Sequence, residues 1–142
     1  MPKLLNNSTR QQIWRRFMSI RDVQRPIVLG IETSCDDTAI AIVSSDKKIL
    51  ASRTFVDREI QKHFGGINPT VTAIGHRSCI DALIDDCLGD VPCRISDLDG
   101  VAVSTRPGLV ISLKVGVERA LSLAKLVYFP QVQRNSIGLE PV

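Results

Sequence analysis

Seven consecutive residues, Glu32, Thr33, Ser34, Cys35, Asp36, Asp37 and Thr38, carry three carboxylates and three hydroxyls. A turn built from them offers backbone N–H groups and hydroxyls to phosphate oxygens, while Asp36 and Asp37 could orient a metal-bound water or a reacting amine. The same residue types also suit a solvated hairpin turn, and composition does not separate the two readings. Two other stretches could bring backbone close to a ligand. Gly65 and Gly66 mark a place where the chain needs conformations that side chains forbid. Ser104 to Leu109, with Pro107 and Gly108 at its centre, reads as a tight turn between a strand and a helix.

The elements around these stretches follow from hydrophobic pattern. Ile27, Val28, Leu29 and Ile31 form a short apolar run bounded by Pro26, as in a strand covered on both faces. Thr38–Ser44 and Lys48–Phe55 read as two more strands, with Ser45, Asp46 and Lys47 closing a hairpin, so that an antiparallel meander is expected. Asp57–Phe64 reads as polar and irregular. From Thr70 the period becomes helical, with Val71, Ile74, Ile80, Leu83, Ile84, Cys87 and Leu88 as the buried stripe and Gly89 as its end. His76 falls near that stripe and reads as a hydrogen-bonded packing residue, with a ligand or catalytic role as the alternative. Asp90–Asp97 is a loop and Leu98–Val103 another strand. Val110, Leu113, Val117, Leu121 and Ala124 then form one helix face, where Gly116 permits close approach to the sheet. The first N–H groups of that helix could bind an anion, and a plain strand-to-helix connection is the alternative.

A chain of 142 residues with 44% hydrophobic content fits one globular domain. Its net charge of +3 is uneven: residues 1–25 hold six Lys or Arg against Asp22 alone, leaving twelve bases against fourteen acids in the rest. The remainder shows no basic patch for nucleic acid. Cys35, Cys79, Cys87 and Cys93 form no C-x-x-C pair and accompany two histidines, which points to buried free thiols rather than a zinc ribbon. No apolar run approaches the ~20 residues that span a bilayer.

The string Gly30–Thr38, GIETSCDDT, resembles the opening signature of the tRNA N6-threonylcarbamoyladenosine transferases, the TsaD family. Gly65-Gly66-Ile67-Asn68-Pro69 resembles that family's G-G-I-x-P loop. Ser104–Leu109 resembles its T-x-x-P-G-L motif, with the basic residue before proline typical of mitochondrial members. The family also has a histidine at the position of His76, preceded two residues earlier by an arginine where this sequence has Ile74.

The resemblance implies an α/β fold: a ribonuclease-H-like first lobe of an actin-like ATPase fold, a mixed sheet with two helices, the second lobe being absent. It implies transfer of a threonylcarbamoyl group from threonylcarbamoyl-adenylate to N6 of the adenosine next to the anticodon in tRNA. In that reading Asp36 and Asp37 are catalytic, and Glu32, Thr33, Ser34, Thr38, Gly65, Gly66, Pro107 and Gly108 line the substrate and nucleotide site. One divalent metal ion per subunit is implied for the full-length form, but the family's H-x-x-x-H ligands do not appear in this sequence. The chain by itself is therefore expected to be inactive. A homodimer and no membrane contact are further expectations. Residues 1–25 resemble a mitochondrial presequence, with Ile13, Phe17 and Ile20 on one side of a basic helix, and imply import into the matrix. Residues 26–128 would be the lobe and 129–142 a divergent tail. A non-catalytic fragment pairing with a complete subunit, and an ATP-dependent kinase of the same fold, are the alternatives.

Overall fold

The computed structural model describes residues 26–126, with Pro92 excepted. The presequence-like segment and the tail lie outside the described residues. Strand β1 (Ile27–Glu32) pairs antiparallel with β2 (Asp37–Ser44), which pairs antiparallel with β3 (Ile49–Val56). Helix α1 (Arg58–Phe64) and the long helix α2 (Pro69–Asp90) lead to β4 (Gly100–Val103), which lies parallel to β1 with Val28 opposite Gly100 and Ile31 opposite Val103. Helix α3 (Val110–Leu126) follows, and the sheet order is β3-β2-β1-β4. The α/β class and the mixed sheet agree with the expectation. The helix count does not, since α1 is a third helix where an irregular stretch was expected. Arg58, Glu59 and Lys62 are good helix formers, and Lys62 pairs with Glu59 one turn away at 3.1 Å.

Burial strictly alternates along β1: Ile27, Leu29 and Ile31 are buried, while Val28 and Gly30 are half-buried. The expectation of cover on both faces is thus corrected. Ile27, Leu29, Ile31, Ile40 and Ile42 meet Ile80, Ile84 and Cys87 of α2 and Ala120 and Leu123 of α3 in one core, so both long helices cover the same face. The opposite face carries small residues such as Gly30, Ala39 and Ala41.

Asn68 starts α2, its Oδ1 accepting from the N–H groups of Thr70 at 3.1 Å and Val71 at 3.2 Å, with Pro69 at a position that has no helical partner to lose. The helix runs one residue past Gly89 and closes where Val91 N–H donates to the Cys87 carbonyl. Its buried stripe is Ala73, His76, Ile80, Ile84, Cys87 and Leu88, and Ile74 is 60% exposed, against expectation. In α3 the buried residues are Ser112, Leu113, Val115, Gly116, Ala120 and Leu123, whereas Val110 and Leu121 point outward. Lys114, Glu118 and Lys125 mark its exposed stripe, and Val110 and Leu121, which the sequence reading placed on the buried face, lie beside them. Gly116 fixes the phase of the helix. An added Cβ there would lie 2.6 Å from Thr33 Oγ1 and 3.3 Å from methyl groups of Ile31 and Val103. The close approach read from Gly116 is therefore present, with a different set of neighbours on its face.

Candidate functional site

The C-terminal ends of the parallel strands β1 and β4 lie side by side, and both chemistry-bearing turns leave from them. Ser104 N–H donates to the Ile31 carbonyl at 3.1 Å, and Leu109 N–H donates to the Ser34 carbonyl at 2.7 Å. Gly108, at φ +155°, seats its backbone on Ser34: a Cβ there would lie 2.5 Å from the Ser34 carbonyl oxygen and 2.7 Å from its Cβ. No side chain larger than hydrogen fits. The structure thus brings the acidic turn and the Pro107–Gly108 turn into contact, although seventy-four residues separate Ser34 from Gly108.

Two of the expected site hydroxyls face inward. Thr33 is fully buried, and its Oγ1 donates to the Ser112 carbonyl at 2.8 Å while accepting from the Gly116 N–H at 3.2 Å. Ser112 and Gly116 are four apart in α3, the pair whose carbonyl and N–H an α-helix joins, so the end of β1 is tied into the helical ladder. Thr38 is 2% exposed, with its hydroxyl 2.7 Å from His76 Nδ1 and 3.2 Å from Cys79 Sγ. Both threonine hydroxyls are thus partnered inside the fold, as interior ties between the turn and the two long helices.

Glu32, Ser34, Asp36 and Asp37 are half-buried at the mouth of the turn. Glu32 Oε1 accepts from the Ser34 N–H at 2.6 Å. Burial works against its charged form, but hydrogen bonds from Ser104 and Ser34 outweigh it and hold the carboxyl below the usual range, so Glu32 is ionised at neutral pH. Burial raises the Cys35 thiol, and the neighbouring Asp36 carboxylate raises it further. Cys35 and Cys79 are half-buried, and only Cys87 and Cys93 are as buried as the sequence reading expected of all four free thiols.

His76, 2% exposed, reaches the turn from α2: Nδ1 meets Thr38 and Nε2 lies 3.1 Å from the Cys35 carbonyl oxygen. The packing role expected of it is present, and both nitrogens are used. Gly65 and Gly66 take φ values of +63° and +151°, with open space where a Cβ would be, so their need for glycine is conformational. No hydrogen bond among the described residues joins them to the acidic turn. Pro107 is exposed, after a cis peptide bond. Ser112, which the sequence reading passed over, has no pattern to reveal it, since its backbone carbonyl does the work.

A divalent ion does not fit the described residues as they stand. No group of three or more His, Cys, Asp or Glu converges among them, and His76 has no nitrogen to spare. What the mouth offers is carboxylate oxygen from Asp36 and Asp37, backbone from Ser34 to Gly108, and the first-turn N–H groups of α3.

The family model described as TsaD, tRNA N6-adenosine threonylcarbamoyltransferase, matches residues 48–138, well over half of the chain. The chain belongs to this family. That match begins after the acidic turn and runs past Tyr128. A Caenorhabditis elegans protein named as a probable mitochondrial tRNA N6-adenosine threonylcarbamoyltransferase is 46% identical over 133 residues, or 93% of this chain, a span that must include the turn. The Paracoccus denitrificans transferase is 40% identical over 110 residues, 78% of this chain. The chain spans 30% and 31% of the lengths of these two relatives. Among solved structures, YeaZ from Pseudomonas aeruginosa superposes on 71% of this chain and 39% of its own, with TM-score 0.54 and 16% identity, a likeness of fold. No described helix is long and apolar enough to cross a membrane.

Proposed function

We propose that these residues form the first, ribonuclease-H-like lobe of an actin-like ATPase fold in a mitochondrial tRNA N6-adenosine threonylcarbamoyltransferase. In the reaction, N6 of the adenosine next to the anticodon attacks the carbamoyl carbon of threonylcarbamoyl-adenylate. The C–N bond forms, the bond to the phosphate oxygen breaks, AMP leaves, and N6 loses a proton. Asp36 and Asp37 orient the amine and take up that proton. Ser34, Gly108 and the start of α3 supply backbone to the adenylate, with Glu32 holding the turn in shape. The observation that supports this most is Gly108 seated on Ser34, because it joins two separate family-like motifs at one mouth.

Residues 26–128 act as this lobe, and its divalent ion, tRNA surface and second subunit of a homodimer draw on groups beyond the described ones. The 142-residue chain alone is expected to be inactive, since it spans under a third of the relatives above. Residues 1–25 direct import into the matrix. A fluorescent protein carrying them should enter mitochondria, and diffuse cytosolic signal would oppose that assignment.

The chemistry is tested by placing residues 26–126 in the corresponding part of the nematode relative and assaying tRNA with threonylcarbamoyl-adenylate and a divalent ion. Turnover should fall about 10² to 10⁴-fold on Asp36→Asn, the range for loss of a general acid-base group, with unfolding little changed. Equal turnover by chimera and variant would reduce the turn to a structural connection.

A further inference from the structure

Among the described residues His76 is the only buried histidine, and it touches both flanks of the acidic turn. A backbone carbonyl can only accept, so the 3.1 Å contact with Cys35 requires the proton to be on Nε2. Nδ1 is then an acceptor, and the Thr38 hydroxyl at 2.7 Å must donate to it. That leaves Thr38 Oγ1 free to accept in turn, and the Cys79 thiol stands 3.2 Å away as donor. The directions are all fixed: thiol to hydroxyl to Nδ1, and Nε2 to carbonyl. Thirty-eight and forty-one residues separate His76 from its two partners, so these bonds tie α2 to the turn across the fold.

We propose that His76, as the neutral Nε2–H tautomer, is the positioning residue of the Cys35–Asp37 turn, holding it through the Cys35 carbonyl and the Thr38 hydroxyl. How the turn is held does not depend on the transferase reading; what the turn then does in catalysis rests on it. Protonation would reverse the arrangement on one side. Nδ1 would become a donor, and the Thr38 hydroxyl would have to turn its own proton toward another acceptor inside the core. Burial opposes that protonation, while the carboxylates of Asp37, Glu32 and Asp36, which face the ring from the turn and β1, favour it. Burial prevails and keeps the ring neutral at neutral pH. The Cys35 and Cys79 thiols complete the titratable surroundings.

The test is nuclear magnetic resonance on the full 142-residue chain labelled with ¹⁵N, following the ring nitrogens of His76 and the backbone amides of Cys35, Asp36 and Asp37 against pH. The expected result is a protonated Nε2, a bare Nδ1, and turn amides that shift with the same midpoint as the ring, below 6.5. In His76→Gln, whose amide can still donate to the Cys35 carbonyl, the turn should stay protected from hydrogen exchange and lose that midpoint. In His76→Leu those amides should exchange roughly tenfold faster, the factor that a net hydrogen bond contributes. An Nδ1–H tautomer, or turn amides indifferent to the His76 midpoint, would overturn the proposal even if His76→Leu failed to fold. Neither result would touch the transferase reading, which stands or falls with turnover in the chimera.

Discussion

Replacing Gly116 with alanine sets two opposed effects against each other, and the structure decides between them. In a helix interior the change should stabilise by about 1 kcal/mol, through helix propensity alone. Here the new methyl group would stand 2.6 Å from Thr33 Oγ1 and 3.3 Å from methyl groups of Ile31 and Val103. The hydroxyl must leave, which forfeits its two buried hydrogen bonds at about 1 kcal/mol each, although the helix regains about one when Ser112 and residue 116 pair directly. Overpacking against the two aliphatic neighbours adds about 1 to 3 kcal/mol. The balance is a loss of about 2 kcal/mol. Gly89→Ala in α2 is the internal control, because nothing lies within 4 Å of its Cβ position, and it should gain about 0.5 to 1 kcal/mol. Urea unfolding of the full chain, followed by circular dichroism, measures both. Adding Thr33→Ala to Gly116→Ala should cost less than the two changes summed, since the clash is removed once. Equal stabilisation by both glycine replacements would refute the tie between Thr33 and α3.

Stability should also fall as pH drops. His76 has a folded value below 6.5, so the unfolded chain binds the proton more readily; its contribution is complete above 6.5 and is lost as pH falls toward the folded midpoint, and His76→Gln should flatten that part of the profile. Glu32 has the same sign in a lower window, with a contribution present above 4.5 and lost as pH falls below it. Asn68→Ala should cost about 1 kcal/mol in urea unfolding through loss of the α2 cap, and Asn68→Ser should restore most of it. Thr38→Val, which strands His76 Nδ1 without a donor, should cost about 1 to 3 kcal/mol, whereas Ser34→Ala at the half-buried mouth should cost under about 1 kcal/mol; equal losses would contradict the inward assignment of Thr38.

What the sequence made legible was set by how much of each feature is local. That the meander strands and β4 exist could be read from apolar runs between turn residues, because each needs only its own side chains to signal it, whereas the one-sided cover of β1 is settled by what packs on it. The phase of α3 was misread because apolar Val110 and Leu121 lie beside the charged stripe of Lys114, Glu118 and Lys125, while the buried face includes Ser112 and Gly116, which a hydrophobic pattern does not register. That face meets a threonine hydroxyl from the end of β1, accommodated only by the missing side chain of Gly116. Ile74 was misplaced for a related reason: α2 takes its phase from Ala73 and His76, and His76 is held by polar partners that a hydrophobic pattern does not register.

The hydroxyls illustrate the same limit at the site itself. Thr33, Ser34 and Thr38 look equivalent in a string of seven polar residues, yet the pleat of β1 and β2 directs Thr33 and Thr38 to the helix-covered face and leaves Ser34 at the mouth. Two threonines therefore hold the turn against α2 and α3, and the groups that stand at its half-buried mouth are Ser34, Asp36, Asp37 and the backbone that Gly108 lets approach. With Glu32 ionised behind them, carboxylates dominate the mouth, and an anionic adenylate could settle there only beside a cation that offsets them. On the transferase reading proposed above, the adenylate phosphate therefore calls for a cation beside Glu32, Asp36 and Asp37, and this requirement rests on that reading.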